Sequence, residues 1–304
     1  MMKKCAVIGS INMDMVIGVP RFPQPGETLT GRKFETVPGG KGANQAIAMA
    51  RLGAPVRMAG QVGNDAFGSR YIEHFAQNGV DVSAVGRAEG CSTGVADILV
   101  SQEGENFIVI VPGANGACDI QWLDRVLPAL EDCDIFLLQL EIPLETVVEC
   151  IRRLRSAGKT IILDPAPAVP LPEDVLSQVN ILTPNETELR IITPGLPEDA
   201  SPEARIRSLI GDSDRMVVHK RGASGAYIGT REGIVHVPGF KVDVVDTTAA
   251  GDTFNAGLAV GLAMGKTVEE SVRLGNAAAA LSLTAFGAQD GMPSMEKVLR
   301  LMNA

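Results

Sequence analysis

One carboxylate, Asp252, follows a run of small residues at 247–251 and precedes a small-residue segment that predicts a helix to about Met264. The first backbone N–H groups of a helix lack partners inside the helix, so they can bind an anion. Gly251 has no Cβ, which lets the backbone approach a bulky ligand. An aspartate here could take a proton from a hydroxyl that attacks a phosphoryl group. The alternative is a first-turn aspartate that stabilises the helix through its dipole.

A second glycine-rich segment, at 38–46, opens another predicted helix. Its glycines permit positive φ and close backbone approach, while Lys41 and Asn44 supply hydrogen-bond donors. Upstream, Asn12 and Asp14 follow the first apolar strand. An aspartate and an asparagine at such a position are suited to binding neighbouring hydroxyls of a sugar. Each piece alone is equally typical of turns, where Gly, Asn and Asp are common for conformational reasons.

Apolar runs typical of strands alternate along the chain with segments of helical periodicity. The predicted strands are 5–9, 56–60, 135–140, 160–164, 180–183 and 216–219. The predicted helices are 43–52, 67–78, 120–130, 144–157, 202–210, 250–264 and 268–283. This alternation predicts an α/β fold with a mostly parallel central sheet, Rossmann-like, and helices on both faces. Ligands of such sheets bind beyond the carboxyl ends of the strands, where Asn12, Glu141 and Asn185 are expected.

Two segments, 15–37 and 91–112, interrupt the alternation and are rich in Val, Ile, Thr and Phe. The second has the pattern of a hairpin, with strands at 95–100 and 106–111. We interpret the two segments as a small β-sheet that projects over the site as a lid. The alternative is that they are edge strands of the main sheet. The α/β core would then comprise residues 1–14, 38–90 and 113–304.

The composition narrows the class of function. The net charge is −9, the pI is about 5.0, and no basic run occurs, which argues against nucleic acid as a partner. The five cysteines are scattered without a C-x-x-C pair, as is typical of buried thiols in a reducing compartment. No run of 18 apolar residues occurs, so we expect a cytoplasmic protein without a membrane span.

Eight segments, in order along nearly the whole chain, resemble the ribokinase-like (PfkB) family of carbohydrate and nucleoside kinases. They are 9–14, 25–28, 39–46, 92–96, 139–141, 165–168, 183–188 and 246–255. Each one alone is a weak signal, but eight in the family's order are a strong one. The resemblance implies the ribokinase-like fold. It also implies that ATP donates its γ-phosphoryl group to the 5-hydroxyl of D-ribose.

The resemblance and the physics of phosphoryl transfer together imply roles for individual residues. The backbone N–H groups of Ala249, Ala250 and Gly251 would receive the charge of the transition state, with Asp252 as the base. The implied sugar contacts are Asn12, Asp14, Gly40, Lys41, Gly42, Asn44, Glu141 and Asp252. The implied nucleotide contacts are Asn185, Glu188, Lys220, Gly222, Gly225, Gly251 and Asn276.

Two metal ions are implied as well. Asn185 and Glu188 match the family's Asn-x-x-Glu element, so Glu188 would hold Mg²⁺ through water. Members of the family are also activated by a monovalent cation, here expected to be K⁺. The matching positions are Asp246, Thr248, Ser282, Ala285, Gly287 and Gly291.

The chain departs from the family pattern at two places. Ribokinase-like enzymes often carry serine where this chain has Gly291, which removes one hydroxyl ligand for the cation. The segment 218–222 replaces a more usual Thr-Leu-Gly run and puts the charge of Lys220 beside the nucleotide. Lys220 could contact the phosphates directly, so this departure does not argue against ATP.

Two other functions stay open at this point. One is a related kinase of the family that acts on deoxyribose, fructose or a nucleoside. The other is a non-catalytic sugar sensor that has kept the fold. The presence of Asp252, Asn185 and Glu188 argues against the sensor, because a sensor needs no base.

We also expect a homodimer joined through the lids. The two lid segments carry more apolar surface than a small two-sided sheet can leave in water. The residues concerned are Met15, Ile17, Val95, Ile98, Val100, Ile108 and Ile110. The alternative is a monomer whose lid packs these residues onto its own core.

Overall fold

The computed structural model describes residues 2–304, which form thirteen strands and ten α-helices. The strands are β1 (Cys5–Ile8), β2 (Asn12–Gly18), β3 (Lys33–Gly39), β4 (Val56–Gly63), β5 (Asp81–Ala88), β6 (Gly94–Val100), β7 (Asn106–Val111), β8 (Ile135–Leu138), β9 (Thr160–Leu163), β10 (Ile181–Leu182), β11 (Met216–Lys220), β12 (Ala226–Thr230) and β13 (Gly233–Val237). The helices are α1 (Lys41–Arg51), α2 (Ala66–Gln77), α3 (Ile120–Val126), α4 (Leu144–Ser156), α5 (Glu173–Leu176), α6 (Glu186–Ile191), α7 (Pro202–Ile210), α8 (Ala250–Ala263), α9 (Val268–Ser282) and α10 (Met295–Met302).

Nine strands form the central sheet, in the order β13-β12-β11-β10-β9-β8-β1-β4-β5. The pairs from β5 to β11 are parallel, and the last two pairs are antiparallel. The predicted mostly parallel sheet is therefore confirmed, with all six predicted strands in it. The pattern did not predict β5, β12 and β13. Polar residues alternate with apolar ones along β5, and β12 and β13 form an antiparallel hairpin at the sheet edge.

Helices cover both faces of this sheet, as predicted. Along β1, Cys5 and Val7 belong to one buried apolar cluster, which also contains residues of α1, α8 and α9. Ala6 and Ile8 point the other way, into a second cluster with residues of α3, α4 and α7. Successive side chains of a strand point to opposite faces, so the continuous apolar run of β1 fills two cores.

The remaining four strands form a separate sheet in the order β3-β2-β6-β7. The alternative that segments 15–37 and 91–112 are edge strands of the main sheet is therefore wrong. The second sheet also begins earlier than expected, because β2 starts at Asn12 and pairs there with Gly39 and Gly94. Asn12 and Asp14 accordingly lie on this sheet, although the pattern placed residues 1–14 in the core. Apolar alternation could not separate β1 from β2, which follow each other within four residues.

The ends of the predicted helices lie within two residues of the observed ends, except at one place. The helix predicted at 120–130 ends at Val126 and continues as a 3₁₀ turn over 127–130. Pro128 explains the break, because proline has no N–H to donate and clashes with the preceding turn. Within residues 2–304, no helix has the length and apolar character needed to cross a membrane.

Candidate active site

Helix α8 begins at a strained residue. Ala249 has φ 58° and ψ 14°, and it is the one non-glycine residue with positive φ in the described chain. The N–H of Ala250 donates to the carbonyl of Thr247 at 3.4 Å, whereas those of Gly251 and Asp252 have no acceptor among residues 2–304. No side chain caps the helix. Two backbone donors at the positive end of the helix dipole are thus left for an anion.

Asp252 lies in the first turn of α8 and is held by two amides of α1. Asn44 Nδ2 donates to its Oδ2 at 3.0 Å, and Gln45 Nε2 donates to its Oδ1 at 3.0 Å. Burial raises the pKa of Asp252 to about 6, with Lys41 acting to lower it and Asp164 to raise it. A fixed carboxylate that is ionised at neutral pH and starts to protonate just below is well placed to act as a base.

Gln45 connects Asp252 to a second carboxylate. Its Nε2 also donates to Asp164 Oδ2 at 3.0 Å, and its Oε1 accepts from Gln139 Nε2. The other oxygen of Asp164 accepts from Lys220 Nζ at 2.8 Å. The sequence assigned no role to Gln45, Gln139 or Asp164, although the two glutamines lie inside segments that carry the family resemblance. In the structure all three belong to the hydrogen-bond network that contains Asp252.

Lys220 stands beside the anion site. Its Nζ is 3.7 Å from the point that a Cβ on Gly251 would occupy, and 3.9 Å from Glu188 Oε2. The side chain is 12% exposed, so its charge acts in a medium of lower dielectric than water. Lys220, one of the two departures from the family pattern, is thus ion-paired with Asp164. It also adds a positive charge where a phosphoryl group would bind.

Glu141 and Asn12 are fixed by local hydrogen bonds. Glu141 Oε2 accepts from the N–H of Lys41 at 3.0 Å and from Ser10 Oγ at 2.5 Å. Asn12 Oδ1 accepts from Asn115 Nδ2 at 2.7 Å. The remaining polar groups of these two side chains stay available to a ligand.

Asp14 differs from the other carboxylates of the site because no donor among residues 2–304 is hydrogen-bonded to it. Burial raises its pKa to about 7, and the charges of Glu141 and Asp252 add to the effect. Its oxygens lie over Gly39, where a Cβ would come within 2.1 Å of Oδ2. Asp14 is only partly exposed, and a partly desolvated carboxylate without a partner is costly. Hydroxyl groups of a ligand would remove that cost.

The glycine-rich turn before α1 allows this close packing. Gly40 precedes the helix with φ 89°, and a Cβ there would be 2.7 Å from the backbone nitrogen of Asn12. A side chain at position 40 would therefore separate the small sheet from α1. Lys41 follows as the first helical residue. Burial acts to lower the pKa of Lys41, but nearby carboxylates, Asp252 first among them, raise it overall.

A cavity of about 760 Å³ opens on the anion site. Its lining includes the charged residues Lys41, Asp164 and Asp252 and the apolar residues Phe240 and Leu283. The seven residues that the sequence assigned to nucleotide contacts all line it, namely Asn185, Glu188, Lys220, Gly222, Gly225, Gly251 and Asn276. A cavity of this size suits a small organic ligand.

Asn185 and Glu188 form a capping box at the start of α6. Glu188 Oε2 accepts from the N–H of Asn185 at 2.7 Å, and Oε1 accepts from Asn185 Nδ2 at 2.7 Å. The Asn185 side chain in turn accepts from the N–H of Glu188 at 2.9 Å. Burial raises the pKa of Glu188, although Lys220 opposes this. Each carboxylate oxygen keeps a second lone pair, and both residues line the cavity, which fits a hydrated Mg²⁺ better than a directly bound one.

The residues expected to bind a monovalent cation come together in two loops. Asp246 joins them, since its Oδ1 accepts from the N–H of Thr248 at 2.9 Å and its Oδ2 from the N–H of Gly287 at 2.9 Å. Three carbonyl oxygens converge on Gly291. A Cβ there would be 2.5, 3.4 and 3.5 Å from the carbonyl oxygens of Ser282, Ala285 and Gly287. A set of neutral oxygen donors fits a hard monovalent cation.

A model of the pfkB family of carbohydrate kinases matches residues 2–295. The chain belongs to this family. It is 41% identical to the ribokinase of Bacillus subtilis over 302 residues, which cover 99% of this chain and 100% of that protein. It is 37% identical to the deoxyribokinase of Salmonella typhi, with 96% of each chain covered. The solved structure of Arabidopsis thaliana ribokinase complexed with ribose and ATP has a TM-score of 0.93, at 34% identity with both chains fully covered.

Membership of the PfkB family agrees with the site geometry. A carbohydrate kinase needs an anion site, a base and a polar sugar site, and this chain has candidates for each. Of the predicted sugar contacts, Lys41 and Asp252 line the cavity, and Asn44 is hydrogen-bonded to Asp252. The family resemblance found in eight segments is thereby confirmed, as is a sugar kinase rather than a sensor.

Proposed function

We propose that the protein transfers the γ-phosphoryl group of ATP to the 5-hydroxyl of D-ribose. The observation that carries the proposal is the buried Asp252, fixed by Asn44 and Gln45 beside the unpartnered N–H groups of Gly251 and Asp252. Support for the two substrates comes from the solved Arabidopsis ribokinase, which is complexed with ribose and ATP. The high identity to curated ribokinases supports the same substrate class.

In the proposed reaction, Asp252 accepts the proton of the attacking hydroxyl as the new O–P bond forms. The bond from the γ-phosphorus to the oxygen that bridges to the β-phosphate breaks, and ADP leaves with that oxygen. Charge on the transferring group spreads over its equatorial oxygens, so donors fixed in advance stabilise the transition state. The N–H groups of Gly251 and Asp252 are such donors, together with that of Ala249. Ala250 contributes less, because its N–H already faces the Thr247 carbonyl. Lys220 adds positive charge beside the same position.

The sugar would bind between the small sheet and α1. Asp14 would accept hydroxyl hydrogens, while Asn12 and Glu141 offer their remaining lone pairs. Asn44 has one N–H and one lone pair left after its bonds to Asp252 and Gln289. Gly40, Lys41 and Gly42 form the floor of the site, where backbone approach is close.

Two ions complete the proposed site. Mg²⁺ would be held through water by Glu188 and Asn185 and would neutralise phosphate charge. K⁺ would be held by the loops of Asp246 and Gly287, through carbonyl oxygens. Family members with serine at position 291 have a hydroxyl ligand there. In this chain, which has glycine, backbone oxygens would have to take its place.

The small sheet would act as a lid on a core formed by the rest of the chain, and it would join two chains. The edge strand β7 is apolar on both sides, with Phe107, Ile108, Val109, Ile110 and Val111 each about half exposed. Ile110 pairs with Ala96, and Ala96 pairs with Asp14, so Ile110 lies on the face of the sheet that carries Asp14. A second copy packed on this face would cover the apolar surface and enclose the sugar. Five free cysteines support a reducing, cytoplasmic setting.

We expect the double variant Ile108→Lys/Ile110→Lys to be a monomer. Sedimentation at micromolar concentration would give the wild type a mass of two chains and the variant one near 32.0 kDa. Val235→Lys is the matched control, since Val235 is 51% exposed on β13, the edge of the other sheet. It should remain a dimer. A wild-type mass of one chain with full activity would exclude the dimer.

The pH dependence should report the two carboxylates with raised pKa values. Because Asp252 must be ionised to accept a proton, protonation below its pKa of about 6 removes activity. Asp14, with a pKa of about 7, loses its charge first as the pH falls. We expect kcat/KM for the sugar to be constant above about pH 8 and to fall below it, with a steeper slope once both groups are protonated. A flat profile from about pH 5 to 8 would contradict both assignments.

A panel of acceptors tests the proposed function. Initial rates of ADP formation would be compared for D-ribose, 2-deoxy-D-ribose, D-fructose and a nucleoside. The 37% identity to a deoxyribokinase makes deoxyribose the specific competitor. We expect ribose to have the highest kcat/KM, because a buried site made to bind a hydroxyl is left with unpaired groups when that hydroxyl is missing. Equal values for ribose and deoxyribose would refute the assignment of the polar contacts.

A further inference from the structure

We propose that Gln289 is a positioning residue that orients Asn44, and through it Asp252, for reaction with the sugar. The inference rests on the proposed function. Gln289 lies in the loop after α9, in the same loop as the carbonyl oxygens of Ala285 and Gly287, and it is 2% exposed. It is 245 residues from Asn44 in sequence.

The amide of Gln289 is bonded at both ends. Its Nε2 donates to Asn44 Oδ1 at 2.9 Å and to the Tyr71 hydroxyl oxygen at 2.9 Å. Its Oε1 is 2.7 Å from His74 Nε2. The backbone carbonyl of Gln289 also accepts a hydrogen bond from Arg51 Nη1, which ties this loop to α1. All the hydrogen-bonding groups of the side chain are thus used inside the protein.

Only one assignment of donors and acceptors satisfies these hydrogen bonds. The Tyr71 hydroxyl donates to the carbonyl of Gly39 at 2.6 Å, so its oxygen is an acceptor for Gln289. Gln289 Oε1 can only accept, which requires a hydrogen on Nε2 of His74. Asn44 Oδ1 accepts from Gln289, so Asn44 Nδ2 must be the group that faces Asp252. The donors therefore point in sequence from His74 through Gln289 and Asn44 to the base.

This chain fixes which end of the Asn44 amide faces Asp252. Without the Gln289 donor, Asn44 could rotate by half a turn and present its oxygen to the carboxylate. The hydrogen bond would then be lost, and two oxygens would repel each other. A donated hydrogen bond favours the ionised carboxylate. Its loss would raise the pKa of Asp252, and the sugar would meet a misoriented amide.

The titratable groups around Asp252 come from several elements. Lys41 lies on α1, Asp14 on β2, Tyr71 on α2 and Asp164 after β9. Of these four, Tyr71 is the group hydrogen-bonded to Gln289, and burial raises its pKa well above its usual value, so it stays uncharged over the acid range of the assay. A shift in the acid limb of the kcat/KM profile would therefore result from loss of the Gln289–Asn44 hydrogen bond.

The test compares Gln289→Met with wild type. Methionine has a similar length and shape but cannot donate. We expect KM for ribose to rise about tenfold, as for the loss of one or two neutral hydrogen bonds. The acid limb of kcat/KM should move to higher pH, while KM for ATP should stay within about twofold, because neither Gln289 nor Asn44 lines the cavity with the predicted nucleotide contacts. Gln77→Met, on the exposed surface of α2, is the matched control and should match wild type.

His74→Phe gives an independent check. It keeps a ring at the position that packs edge-on against Tyr71, with ring centroids 6.0 Å apart, but removes the donor to Gln289. We expect KM for ribose and the acid limb of kcat/KM to change in the same direction as in Gln289→Met, but by less. If Gln289→Met does not fold, His74→Phe is the variant that tests the inference. Wild-type KM for ribose and wild-type pH profiles in both folded variants would overturn the inference. A wild-type protein with no sugar-dependent ADP formation would instead refute the proposed function.

Discussion

Replacing Asp252 by asparagine is expected to lower kcat for ribose phosphorylation by about 10²–10⁴-fold, the usual contribution of a proton acceptor. The amide cannot take the proton of the attacking hydroxyl. The fold should persist, because α8 packs mainly through apolar residues on α1 and α9. Steady-state assays would give kcat, and thermal unfolding with calorimetric ribose titration would establish that folding and sugar binding remain.

Asp164→Asn is the matched comparison for this prediction. It removes the other carboxylate that accepts from Gln45, at the same 3.0 Å distance. Asp164 is not placed to take the proton, so kcat should fall by far less than in Asp252→Asn. Loss of its charge should also move the acid limb of the pH profile to lower pH, since Asp164 acts to raise the pKa of Asp252. If Asp252→Asn kept a tenth or more of normal turnover, another group would have to be the base.

Replacing Asp14 by alanine is expected to lower kcat/KM for ribose by about 10²–10⁴-fold. A hydrogen bond to a charged group contributes roughly 1.5–3 kcal/mol, and a carboxylate can accept from two sugar hydroxyls. Most of the loss should appear in KM for ribose, with KM for ATP little changed. Steady-state kinetics with each substrate varied in turn would give the two KM values separately.

The same variant should not be less stable than wild type when no sugar is bound. The pKa of Asp14 is raised in the folded state, so its contribution to stability is present at low pH and is lost as the pH rises through about 7. At pH 8 its removal therefore relieves a cost. Asp97→Ala is the matched control, because Asp97 is an exposed carboxylate on the neighbouring strand β6. A large loss of melting temperature in Asp14→Ala alone would indicate a structural role instead.

The sequence was most informative where chemistry is local. The small-residue run before Asp252 predicted an anion site, and the helix start carries two N–H groups without acceptors. Strand and helix alternation predicted the parallel sheet because buried parallel strands are continuous apolar runs. The seven predicted nucleotide contacts come from four separate parts of the chain, and the family resemblance alone connected them before the structure placed them in one cavity.

What the sequence could not predict depends on pairing between distant residues. Lys220 stood out as a charge beside the nucleotide, but its partner Asp164 is 56 positions away. Gln45 and Gln139 are buried amides whose role follows only from what each of them faces. That Asp14 is left unpartnered is likewise a property of the folded site and not of its sequence neighbours. The start of β2 at Asn12 could not be predicted either, because only three residues separate it from the end of β1.

The central claim is that this site transfers a phosphoryl group from ATP to the primary hydroxyl of ribose. Phosphorus NMR of a reaction with ATP, Mg²⁺, K⁺ and D-ribose labelled with ¹³C at carbon 5 tests it directly. We expect one product signal to grow in step with ADP and to be coupled to the labelled carbon, as in ribose 5-phosphate. A phosphorus signal without coupling to that carbon, or ADP formed together with inorganic phosphate alone, would contradict it.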